Sequence, residues 1–178
     1  KLKHQNQRLA NLNTSLEERV ELRTLQIQTA LKRSEQSVNA TKKIVFNILS
    51  SIPYIDVEVG KKVSKLAENI AKQLKLDAQT VADVSFAGLI AELGMIALDE
   101  KLYKTPYTQM SPAQQQAYNT QGNNALLILS PSAQLKTITE IVVSQFEHIS
   151  GRGYPKGLQE VDIPIGAQII AVSRDFYR

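Results

Sequence analysis

Apolar side chains mark one narrow face of a helix along the first part of the chain. Leu2, Leu9 and Leu16 recur every seven residues with Leu12 between them, and the stripe then passes to Val20, Ile27 and Leu31. Heptad recurrence is the pattern of a coiled coil, and the extra step of four between Leu16 and Val20 is a stutter that locally unwinds it. Residues 1–50 contain neither Gly nor Pro and are rich in Leu, Gln, Glu, Arg and Lys, which favours one long helix. A narrow stripe suits a narrow partner, so a parallel homodimer through this coil is expected rather than a helix folded back on its own domain. The helix must end before Pro53, because a residue preceding proline is pushed out of helical geometry. The chain therefore divides into a coiled-coil dimerisation segment, 1–50, and a globular domain, 53–178.

Beyond Pro53 the spacing stays helical. Val59, Val63, Leu66, Ile70 and Leu74 share one face between Asp56 and Leu76. Asp77 then caps a second helix that should run to about Gly94 and, being apolar on most sides, form the buried centre. Ser111 followed by Pro112 predicts a helix start, with the helix continuing to Leu129 and stopped by Pro131. Another helix is expected from Ser132 to His148, then a Gly-rich loop over 151–163, and a last helix from about Pro164. No segment alternates as a strand does, so the fold class is all-α, with Phe86, Leu89, Ile90, Leu93, Ile141 and Ile170 in the core.

Composition narrows the function. With 178 residues of which 43% are hydrophobic, one core plus an appendage is the expected organisation. Cysteine is absent, which removes disulfides, thiolate metal sites and a cysteine nucleophile. The apolar stretches look shorter than the ~20 residues of a membrane span and no signal-peptide core is visible, so a soluble cytoplasmic protein without a membrane partner is expected. The net charge of +4 comes from 21 basic and 17 acidic residues spread along the chain, too even for a nucleic-acid partner. The densest basic run, Lys61, Lys62, Lys65, Lys72 and Lys75, reads as the solvated face of an amphipathic helix. Ser130, Ser132 and Ser144 have no positioned base, and the two histidines, His4 and His148, are isolated, so a hydrolytic triad is not expected.

The most informative stretch is Gly151-Arg152-Gly153-Tyr154-Pro155-Lys156-Gly157-Leu158, followed by Ile163-Pro164-Ile165-Gly166-Ala167. Glycines at alternate positions permit positive φ and close backbone approach, while proline stiffens the turn, so the loop has a defined shape. This run resembles the GYP signature of the HD-GYP family, a branch of the HD phosphohydrolases that hydrolyses the bacterial second messenger cyclic di-GMP. Residues 57–178 follow that family's helix order, with Leu89 to Gly94 where the HD motif belongs and Leu127 to Pro131 where the next helix ends. The resemblance covers about two thirds of the chain and implies an HD-type helical bundle. The N-terminal part, including Asn11 to Glu21, looks like the helix joining such output domains to an upstream receiver or sensor, as in response regulators. In the family a basic segment follows the last helix, so the sequence is expected to continue beyond Arg178.

The resemblance also implies a ring of His and Asp ligands around two or three metal ions that activate a bridging water. Carried over residue by residue, those positions fall here on Val59, Ala91, Glu92, Gln121, Gln145, Phe146 and Arg174. A one-residue shift would put Asp175 in place of Arg174, yet two carboxylates without imidazoles make a poor hydrolase centre. The expectation is therefore a degenerate member: not an enzyme, with no metal and no cofactor, and with Arg174 or Gln121 paired to Glu92. Its function is expected to be that of a signalling output module. The loop residues Gly151, Arg152, Gly153, Tyr154, Pro155 and Lys156 would meet a diguanylate cyclase or other signalling domain. The alternative is a sensor that binds cyclic di-GMP or another nucleotide without cutting it.

Overall fold

A computed structural model describes residues 2–177, with the side chains of Leu2, Gln5 and Ala10 outside the described set; the first heptad position, Leu2, is thus not tested. Two compact units result, 1–41 and 42–178. Helix α1 (Leu2–Ser50) supplies the described residues of the first. Its stripe residues Leu9, Leu12, Leu16, Val20, Ile27 and Leu31 are each about 60% exposed. From Lys42 the same helix belongs to the second unit, where it buries Val45 and Leu49.

The second unit is built from α2 (Val57–Gln73), α3 (Ala78–Leu89), α4 (Glu100–Lys104), α5 (Pro112–Tyr118), α6 (Gln121–Leu129), α7 (Lys136–Ser144) and α8 (Ile165–Tyr177). The described residues contain no strand, only an isolated antiparallel bridge between Ser150 and Gln159. The all-α expectation holds, and Asp77 and Ser111 cap helices as expected, with Asp56 doing the same for α2. Asp56 accepts from the amides of Glu58 and Val59, and Asp77 from those of Gln79 and Thr80. Ser111 and Gln114 form a reciprocal capping box, satisfying amides that a helix start leaves open.

Where the sequence drew long helices, the chain breaks them. The second globular helix ends at Leu89 rather than near Gly94, giving way to a 3₁₀ turn over Leu93–Ala97. Gly94 explains the tightness here: a Cβ would stand 1.9 Å from the carbonyl oxygen of Gln121, so only glycine lets the start of α6 approach. The helix from Pro112 to Leu129 is interrupted at Asn119 and Thr120, and the next shortens to a 3₁₀ turn followed by α7. The stretch Ala78–Ala97, mean hydropathy 1.5, is long and apolar enough to cross a membrane by composition, contrary to the sequence reading, although half of it is buried in the bundle and it is not one continuous helix. Ile90, Leu93, Ile141 and Ile170 are buried as expected, whereas Phe86 and Leu89 are only partly covered and face a cleft.

Candidate functional site

The Gly-rich loop is held from inside by Glu147. Its carboxylate, almost fully buried, accepts from the backbone amides of Lys156 at 2.7 Å and Leu158 at 2.8 Å. Amides of an irregular loop lack helical or sheet partners, and here one carboxylate satisfies two of them, on alternate residues. The amide of Tyr154 donates to the Phe146 carbonyl at 3.2 Å, and Gly151 to that of His148 at 2.8 Å. Gly151 and Gly157 have positive φ of 73° and 66°, and the Tyr154–Pro155 peptide is cis. Gly153 allows the loop to lie on its own stem: a Cβ would stand 2.2 Å from the His148 nitrogen. Glu147, four residues before Gly151, was missed from sequence. Arg152 and Lys156 are exposed.

The positions carried over from the metal ring converge only in part. Arg174, 6% exposed, donates through Nη2 at 3.1 Å and Nε at 3.3 Å to the same Glu92 oxygen. Its guanidinium also lies 4.6 Å from the centroid of the Phe146 ring, which stacks on Tyr154 with centroids 5.0 Å apart. Asp175 points to solvent, so the shifted register gains nothing. Of the two partners expected for Glu92, Arg174 fills the role and Gln121 does not. Gln145 Nε2 donates to the carbonyls of Ala91 and Val142, and Gln121 Nε2 to the Tyr154 hydroxyl at 3.2 Å, because neighbouring backbone and loop groups lie within reach. Their Oε1 atoms are buried without a partner. Burial raises the Tyr154 phenol pKa, keeping it protonated. Beside Val59, Ala91, Glu92 and Arg174 a cavity of about 20 Å³ remains, the size of one water.

This donor set does not fit a two-metal centre. Its one carboxylate is engaged by a guanidinium, its amides are committed through their N–H groups, and the rest is apolar. Among the described residues no three His, Cys, Asp or Glu side chains gather as metal ligands elsewhere.

Outside this ring a larger pocket of about 530 Å³ opens against the loop. Tyr107, Asn119, Phe146, His148, Ser150, Arg152, Gly153 and Tyr154 line it. His148 Nδ1 and Ser150 Oγ are 2.7 Å apart. Asn119 donates to the Tyr107 hydroxyl at 3.3 Å and leaves its buried Oδ1 unpartnered. Tyr107 and Asn119 carried no sequence signal, since the short helices between 100 and 118 have little periodicity.

Residues 25–178 match the HD domain family, and the chain belongs to that family. A cyclic di-GMP phosphodiesterase of Thermotoga maritima is 28% identical over 137 residues, 74% of this chain and 36% of its own length. A 3'3'-cGAMP-specific phosphodiesterase of Vibrio cholerae is 20% identical over 82% of this chain and 33% of its own. A further cyclic di-GMP phosphodiesterase, from Pseudomonas aeruginosa, is 26% identical over 58% of this chain and 25% of its own. The chain thus spans about a third or less of each of these relatives. Their names correct the expectation that the chain is not an enzyme, because all three are catalysts and so point to an enzyme. That expectation asked too much of the missing ligands: they exclude one coordination set at one place, which is narrower than the absence of catalysis.

Proposed function

We propose that the chain is a signal-transduction domain that recognises a cyclic dinucleotide in the pocket beside the Gly-rich loop. The observation carrying this reading is the pocket's make-up. The Tyr107 ring and the edge of Phe146 offer apolar surface to a purine, and Arg152 and His148 offer donors to phosphate. Its volume of about 530 Å³ falls within the range of ligand sites. The relatives named for cyclic di-GMP and 3'3'-cGAMP supply the ligand class.

In this reading α1 pairs with α1 of a second copy, which would cover the exposed stripe from Leu9 to Leu31. Exposed Ile149 and Val161, at 62% and 91%, support a second role for the loop region as a contact for another signalling domain.

Calorimetry with cyclic di-GMP and with 3'3'-cGAMP tests the nucleotide reading. Saturable binding is expected, weakened about tenfold by Arg152→Ala, the loss of one charge-assisted contact to phosphate. A flat titration with both nucleotides overturns it. Chromatography of the same samples for linear dinucleotide measures turnover.

A further inference from the structure

A second cleft lies on the hairpin of α2 and α3 and shares no lining residue with the loop pocket. It has a volume of about 690 Å³ and opens between Ser64, Glu68 and Lys72 on one side and Ala82, Phe86 and Leu89 on the other. Helical periodicity called for Phe86 and Leu89 to be buried, and their partial exposure is what this cleft consists of. Ser64 Oγ donates to the Ser85 carbonyl at 2.7 Å and lies 3.1 Å from Ser85 Oγ. The floor's polar groups are thus satisfied internally, and an apolar occupant strands no donor. Ala78 and Ala82, one turn apart and exposed, leave room for incoming side chains.

Shape and charge narrow the occupant. The groove between two helices of a hairpin receives the ridge of a third helix. From Ser64 to Lys72 it is about 12 Å long, roughly two helical turns. Its edges differ in charge. Residues 57–75 carry Lys61, Lys62, Lys65, Lys72 and Lys75 against Glu58 and Glu68, five minus two, a net +3. On α3 the one charged residue, Asp83, is buried and paired with Lys42 at 3.5 Å. Lys61 and Lys72 pair with Glu58 and Glu68, and Lys65 lies 3.9 Å from Glu68, so the cleft wall itself carries Glu68 with Lys72 and the excess positive charge lies along the exposed flank of α2.

We propose that this cleft docks an amphipathic helix of a partner protein, its apolar face on Phe86 and Leu89 and its acidic flank along the lysines of α2. This assigns a task to the basic run that the sequence left as a solvated face. Phe86 also carries Lys42 Nζ 5.3 Å from its ring centroid, so the partner touches a residue already in contact with the last turns of α1. The proposal is independent of the nucleotide reading, because the two pockets share no residue.

The test uses the full chain and a fluorescent synthetic helix of about 15 residues, roughly four turns, with Leu at i, i+3, i+4 and i+7 positions and Glu elsewhere. A twin with Lys in place of Glu is the control. Anisotropy should show saturable binding of the Glu peptide, and about tenfold weaker binding of the Lys peptide. Ala82→Trp, which fills the cleft from an exposed position, should weaken the Glu peptide by about tenfold or more. Ala78→Trp serves as a second block, with circular dichroism confirming that both variants keep their helix content. Equal binding of the two peptides, or binding indifferent to both tryptophans, overturns the proposal. So does a result in which Ala82→Trp abolishes self-association of the chain, or binding to phosphatidylglycerol vesicles, while the Glu peptide never binds.

Discussion

Replacing Glu147 by Gln tests whether one buried carboxylate shapes the Gly-rich loop. Each Glu147 oxygen accepts one backbone amide, at 2.7 and 2.8 Å, and the residue is only 9% exposed. Hydrogen bonds to a charged acceptor contribute about 1.5–3 kcal/mol each. Glutamine keeps one acceptor but turns an NH₂ toward a backbone N–H, so one bond is lost and two donors face each other. The expected cost is about 2–3 kcal/mol, reduced to the extent that the loop can swing its amides into water. Alanine loses both bonds and should cost more, about 3–4 kcal/mol. Urea unfolding measures the totals, and hydrogen exchange of the Lys156 and Leu158 amides measures the local effect. If the Gln variant unfolds within about 0.5 kcal/mol of the parent and both amides keep their protection, the loop is held by its glycines and bridge instead, and the reasoning fails.

Two further outcomes follow from the same style of accounting. Arg174→Leu leaves Glu92, whose side chain is 15% exposed, without its counter-charge and should cost about 3 kcal/mol, whereas Glu92→Leu with Arg174→Leu should recover most of it; urea unfolding of the three variants gives the coupling. Leu12→Asp with Leu16→Asp sets charges in the exposed stripe and should shift a dimer toward monomer in sedimentation at micromolar concentration. An unchanged sedimentation coefficient would rule out the coil as the contact.

What the sequence made legible was set by local chemistry. Asp56, Asp77 and Ser111 announce helix starts because a cap needs only its own next three residues. Helix ends were harder, since Leu89, Tyr118 and Ser144 are not followed directly by a glycine or proline that would mark a stop. The close approach of Gly94 to the Gln121 carbonyl is likewise not revealed by its sequence neighbours. The GYP loop was legible as a loop. Its anchor was not, because Glu147 works through backbone amides nine and eleven residues away. The Arg174 to Glu92 pair became legible only through the resemblance, which brought two residues 82 apart to one site. The α2 and α3 cleft could not be read at all: a half-exposed Phe86 has the same periodicity as a buried one.

The inner ring and the outer pocket make a joint claim about where a phosphate would be met. In a ring of His and Asp, bound cations neutralise the carboxylates and can also attract a phosphate. Arg174 can serve the first purpose for Glu92 but is poorly placed for the second. It is 6% exposed, both donors that it gives to Glu92 are spent, and the Phe146 ring lies against its guanidinium. Phosphate recognition in the proposed reading therefore falls to Arg152 and His148, which line the outer pocket. The double variant Glu92→Leu/Arg174→Leu separates the two arrangements. It should retain nucleotide affinity within about threefold, under 1 kcal/mol, while Arg152→Ala in the same background should still lose about tenfold. If the double variant alone loses that tenfold and Arg152→Ala loses nothing, the phosphate is met at the inner ring and the outer pocket is not the nucleotide site.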